Sequence, residues 1–277
     1  MKNDYDLTDL YQRYYDKELY MIGALDCFGV PHTPDNLIQK SYIDMIEDDF
    51  SNSGIHVNYV NMHSIGFNKT WELKKIIDSD YTKKEYYDIN LEQSKKAVAT
   101  PNIFPFPLHP KFLSDYYKNP SNPDMHITSH FADSKDPIFF YSCGQMNFHQ
   151  YSKMRTGDLK QIIPELAFCS LYNLHKTLND VKDMIEHLNS INPSVKIYMF
   201  GVYPMFENAA VRDALVPIYS LVNLRTREFC SQFDNVYFVD VIGDAFHVAK
   251  DDCHPNFEGQ CYMKDKVLKK VISTNKI

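Results

Sequence analysis

Three observations predict an α/β chain of three layers, a five-stranded parallel sheet between two layers of helices. Five short apolar runs recur along the 277 residues, helical apolar spacing fills stretches between them, and chemistry-bearing residues follow the runs. In such a fold catalytic groups collect at the carboxyl ends of the strands.

The runs are Leu19 to Leu25, Ile55 to Met62, Ile138 to Cys143, Val195 to Val202 and Val236 to Val241, each read as a strand. Leu37, Ile38, Tyr42, Ile46 and Phe50 fall at helical spacing after the first run. Leu159, Ile162, Ile163 and Leu166 do so after the third, and Leu215, Ile218, Leu221 and Val222 after the fourth. The alternation is β-α-β-α. One large domain over 1–277 accounts for it, because 44% hydrophobic and 23% charged residues suffice for a substantial core. The segment from Asp80 to Asp136 interrupts the pattern. It carries six prolines between Pro101 and Pro123, with Phe104, Phe106 and Leu108 interleaved, and reads as an insertion at about 80–136. Folded over the sheet edge it would be a lid or acyl-binding wall; the plainer reading is a packed surface loop.

Charge narrows the partners. Lys+Arg 29 against Asp+Glu 36 gives −7 with no basic run, which argues against nucleic acid or an anionic membrane surface as partner. The polar, acidic start Met1-Lys2-Asn3-Asp4-Tyr5-Asp6 lacks an apolar signal core, and no stretch approaches the roughly 20 apolar residues of a membrane span. The expected location is cytoplasmic. The six cysteines lie scattered among apolar runs and read mostly as reduced core residues. A zinc site would recruit Cys253, His254 and Cys261, but no paired C-x-x-C and no fourth ligand accompany them, so no metal and no cofactor is expected.

Chemistry gathers after the strands. Asp251-Asp252-Cys253-His254-Pro255-Asn256 places a carboxylate three residues before a histidine, where the last strand gives way to the last helix. Asp251 at that offset can accept the imidazole Nδ1–H and leave Nε2 to take a proton. Pro255 stiffens the turn and Asn256 is suited to cap the next helix. A loop histidine beside a capping residue is the alternative. After the first run, Asp26-Cys27 places a thiol on a turn; after the second, Gly66 can bring its N–H close to a ligand. Ser142-Cys143-Gly144-Gln145-Met146-Asn147 offers an amide side chain after the third. Ser64, Ser142 and His63 are rival groups, but neither serine has a partner at a recognisable spacing and His63 reads as a polar residue at a sheet edge; His149 and His247 read as surface or core histidines.

With those blocks in that order, the chain resembles the SGNH, or GDSL, hydrolase family, whose signatures are a G-D-S turn, a glycine, a G-x-N and a terminal D-x-x-H. The resemblance covers most of the chain and implies a flavodoxin-like sandwich. It assigns Cys27 as nucleophile, His254 as base and Asp251 as its orienter, with the Cys27 N–H, Gly66 and Asn147 forming an oxyanion hole. Three positions depart from the pattern. Leu25 stands where the first block has glycine, Cys27 replaces serine, and Asn147 lies three residues after Gly144 instead of two. Either a bulge returns Asn147 to the site or Gln145 replaces it.

A thiol beside imidazole ionises more readily than a hydroxyl, so the pair can act as thiolate and imidazolium. The expected partner is a small acyl donor, an ester or thioester, free or borne by a carrier. The acyl group then passes to water, as in an esterase or thioesterase, or to an amine or alcohol, as in an acyltransferase. An inert core thiol, a catalytically impaired binding protein on the same fold, and a serine hydrolase whose nucleophile has been replaced stay open as alternatives.

Overall fold

The computed structural model describes residues 5–24, 41–62, 70–99, 119–142, 159–202, 209–242 and 256–276. In chain order these form α1 (Thr8–Tyr14), β1 (Glu18–Ala24), α2 (Tyr42–Asn52), β2 (His56–Asn61), α3 (Thr70–Asp78), α4 (Lys83–Ala99) and α5 (Ile127–Asp133). There follow β3 (Ile138–Ser142), α6 (Leu159–Ile191), β4 (Lys196–Phe200), α7 (Ala209–Cys230), β5 (Val236–Val239) and α8 (Phe257–Thr274). The five strands make one parallel sheet in the order β2-β1-β3-β4-β5. That is the flavodoxin-like order, with its switch point between β1 and β3.

Every expected run is a strand, within two residues at either end. The cause is visible in the burial, since both faces of a parallel sheet are covered and its strands are apolar throughout. Leu19 and Met21 of β1, Ile138 and Phe140 of β3, and Tyr198 and Phe200 of β4 turn to one face, against α1, α2 and α8. Tyr20 and Ile22, Phe139 and Tyr141, and Ile197 and Met199 turn to the other, against α3, α4, α5, α6 and α7. Three layers result.

Two helical expectations need qualification. The capping box at Ser41, whose backbone is extended, starts α2 at Tyr42, and Leu37 and Ile38 lie outside the described residues. In α7, Leu215, Tyr219 and Val222 carry the buried stripe while Leu221 is exposed, because one residue of helix rotates it about 100° off that face. The flanks of the expected insertion are also part of the core. Tyr86 and Tyr87 of α4, and Ile127 and Phe131 of α5, are buried against the sheet, whereas Phe104, Phe106 and Leu108 lie outside the described residues. Among the described residues no helix is long and apolar enough to cross a membrane.

Candidate active site at the carboxyl edge of the sheet

The register places the strand exits side by side. Gly23 of β1 pairs with Asn61 of β2, and the Met62 N–H donates to the Gly23 carbonyl at 2.9 Å. Ala24 pairs with Tyr141 of β3, Ser142 with Phe200 of β4, and the Gly201 N–H donates to the Val239 carbonyl of β5 at 3.0 Å. Neighbouring strands lie about 4.8 Å apart, so the exits of β2, β1 and β3 fall within roughly 10 Å.

Two helix starts close the same edge. Ser41 caps α2, its hydroxyl accepting the Asp44 N–H at 3.2 Å while the Asp44 carboxylate accepts the Ser41 N–H at 2.8 Å. Asn256 caps α8 as expected, accepting the Gly259 N–H at 2.9 Å. The two starts are joined. Gln260, fully buried, accepts the Tyr42 N–H through Oε1 at 3.0 Å, a contact between positions 218 apart in sequence.

Buried polar groups hold the strand ends. Asn223 of α7 accepts the Val202 N–H at 2.7 Å and donates to the Val202 carbonyl at 2.9 Å. Glycine is required beside it, because a Cβ on Gly201 would stand 2.7 Å from that amide. At the end of β2, the Tyr87 hydroxyl accepts the Asn61 N–H at 3.0 Å and the Tyr86 hydroxyl donates to the Met62 carbonyl at 2.9 Å. Thr70 and Tyr141 share a 2.8 Å hydrogen bond between the start of α3 and β3. The Tyr59 ring crosses β1 over Gly23, where a Cβ would meet its hydroxyl at 2.7 Å. Burial pushes the phenols of Tyr59 and Tyr87 well above their ordinary range, so both are neutral hydroxyls.

The expected machinery follows these anchored ends. Cys27, Gly66, Asn147, Asp251 and His254 lie outside the described residues, as do Leu25, Asp26, His63, Ser64, Gln145, His149 and His247. Ser142 is described and is a buried last residue of β3. Of the cysteines, Cys230 is a buried thiol that donates to the Met199 sulfur at 3.6 Å, and Cys261 is a partly buried thiol on α8; neither is in a disulfide. Among the described residues no three His, Cys, Asp or Glu side chains form a group able to hold a metal. Gln260, Asn223, Tyr86 and Tyr87 escape a sequence reading because their partners are backbone groups far along the chain. Only Gln260, four residues after the expected cap, stood close to a flagged motif.

No family model matches the chain, and no curated protein matches its sequence. Solved structures do share its fold. A lipase from a goat rumen metagenome aligns with a TM-score of 0.53 at 12% identity, over 91% of this chain and 97% of its own. An extracellular lipase from Streptomyces rimosus aligns with a TM-score of 0.53 at 12% identity, over 92% of this chain and 99% of its own.

Proposed function

We propose that this chain is a single-domain acyl-transfer enzyme of the SGNH/GDSL type that cleaves an ester or thioester through an acyl-thioester on Cys27. The observation that carries the reading is the joined edge. The segments bearing Gly66, Cys27 and Asn147 leave from three adjacent strands, and the segment bearing Asp251 and His254 enters α8, whose start is bonded to that of α2. Cys27 follows Ala24 by three residues, a reach of at most about 11 Å, and His254 precedes Asn256 by two, about 7 Å. The fold shared with two lipases supports ester chemistry at that edge.

In the mechanism Asp251 accepts the His254 Nδ1–H and holds the tautomer that presents Nε2 to Cys27. Nε2 takes the thiol proton. The thiolate adds to the acyl carbonyl carbon, and the oxyanion is met by the Cys27 and Gly66 N–H groups and the Asn147 side chain. The intermediate collapses with loss of the alcohol or thiol, which takes its proton from the imidazolium. Water, or an amine or alcohol acceptor, then gives a proton to His254 and attacks the thioester, releasing the acyl product and restoring the thiol. The aromatic segment around Phe104 to Leu108 is the proposed wall for the acyl chain.

Intact-protein mass after incubation with short p-nitrophenyl and thioester donors tests this. An acyl adduct or turnover that disappears in Cys27→Ala is expected. Turnover only in Cys27→Ser would identify a serine hydrolase with a replaced nucleophile, and no reaction in any form would leave a binding protein.

A further inference from the structure

We infer that the outer face of α7 is a self-association surface, on which a second copy of this chain packs its own α7 antiparallel to form a weak twofold dimer.

One side of α7 is spent on the core. Leu215, Tyr219, Val222, Asn223 and Thr226 are buried there, and at about 100° per residue the side away from them carries Ala214, Pro217, Leu221 and Leu224. Leu221 is 40% exposed and Leu224 46%, and Pro217 is exposed as well. The steps along this stripe are three, four and three residues, the spacing of a coiled-coil seam. A single exposed leucine needs no explanation, whereas apolar residues on successive turns of one face do. The stripe belongs to α7 and not to the whole helical layer. On the neighbouring α6 the exposed positions are Lys176, Asn179, Lys182, Asp183 and Glu186.

The flanking charges say what covers it. Asp213 and Arg227 fall on one flank of the stripe and Arg225 on the other, all three with side chains more than half exposed. In a parallel pair Arg225 of one copy would come level with Arg227 of the other, and like charges would meet. An antiparallel pair, with its twofold axis between Pro217 and Leu221, sets Leu221 against Pro217 of the other copy and Leu224 against Ala214. Asp213 then lies within two residues, about 3 Å along the axis, of Arg227 of the other copy, and symmetry makes the contact twice.

Both groups have capacity for it. Asp213 stands 3.8 Å from the Arg212 Nε, and Arg227 gives one N–H to Asp240 while a guanidinium carries five. Pro217 has no N–H, so the Asp213 carbonyl loses its helical donor on this same face and is a second acceptor for that guanidinium. Acidic Asp213 and Glu228 on the exposed side disfavour an anionic lipid surface as the occupant. About ten contact residues from one helix fall short of the roughly 20–30 a side of a standard interface. The expected dimer is therefore concentration dependent, with a Kd of about 10–100 µM.

The test is sedimentation equilibrium of the full chain from about 1 to about 300 µM, where the mass should rise from one chain toward two. Leu221→Glu combined with Leu224→Glu should stay at one chain throughout and keep its thermal midpoint, because both side chains lie at the surface. Asp213→Arg alone and Arg227→Glu alone should each weaken the dimer about tenfold. An equimolar mixture of those two variants should dimerise at least as well as the unsubstituted chain, since each copy then meets opposite charge on both flanks. A mass that stays at one chain over the whole range would overturn the inference. So would a dimer indifferent to the leucine substitutions, or a mixture no tighter than its components. Flotation with phosphatidylcholine vesicles checks the other occupant: binding by a monomeric chain that is lost in the leucine variant would assign the stripe to a lipid surface and overturn self-association.

Discussion

The two outer edges of the sheet are protected by opposite means. At β2, buried tyrosines of α4 bond the strand's own backbone, and Lys83, 2% exposed, lies beneath them with its ammonium 5.9 Å from the Tyr87 ring centre and 3.2 Å from the Ser121 hydroxyl. At β5 the strand is four residues long, and its flank carries an exposed Arg227–Asp240 ion pair at 2.5 Å with the guanidinium over Phe238. Both are ways of keeping a strand edge from pairing with another chain. They differ in what they specify. Buried hydroxyls set the position of the backbone that leads to Gly66, whereas a solvated ion pair on a short strand sets little beyond solubility.

The largest effect should come from stripping the β2 edge. Tyr86→Phe combined with Tyr87→Phe removes the partners of the Met62 carbonyl and the Asn61 N–H while keeping the ring volumes. A loss of about 2–5 kcal/mol in denaturant unfolding is expected. A loss under about 1 kcal/mol would show that the hydroxyls are dispensable.

Next is the lysine. Burial pushes the Lys83 ammonium down to about 8, against the pull of the Glu47 and Glu18 carboxylates. Between about pH 8 and 10 the unfolded chain holds this proton and the folded chain sheds it, so stability should rise with pH in that window. Lys196 is shifted down as well, also by burial first, and adds to the rise. Above about 10 the sign reverses, because buried phenols such as Tyr14, Tyr20 and Tyr198 stay protonated in the fold while the unfolded chain ionises them. Lys83→Met should stabilise the protein at pH 7 by up to about 3 kcal/mol and flatten the rise. A stability profile unchanged by that substitution would remove Lys83 from the account of the β2 edge.

The smallest effect belongs to β5. Asp240→Asn should change stability by less than about 1 kcal/mol, and less still at high salt, because the pair is exposed. A larger cost would make the two edges alike.

What the sequence made legible follows the same division. The strands were readable because unbroken apolar runs such as Ile138 to Tyr141 are what a sheet covered on both faces requires. The Asn256 cap was readable because capping is local, its acceptor and donor lying three residues apart. The α2–α8 bond was not, since nothing near Gln260 points to Tyr42. The burial of the insertion's flanks was hidden for the same reason. Prolines and aromatics from Pro101 onward suggest a loop laid over the sheet, yet Tyr86, Tyr87, Ile127 and Phe131 on either side are core. Local composition marks where a chain departs from a pattern, and only long-range burial says which parts of the departure return to the core.

The covering of β2 by α4 also has a consequence in time. Asn61 and Tyr87 are 26 residues apart, a length synthesised in about 1–5 s. On a growing chain, the tyrosines that bond the end of β2 arrive before Ile138, the first residue of the strand that closes the other side of β1. The first pair of strands thus waits for its third neighbour with the exit end of β2 already bonded, at the Asn61 N–H and the Met62 carbonyl, and offers a nascent neighbour that much less exposed backbone.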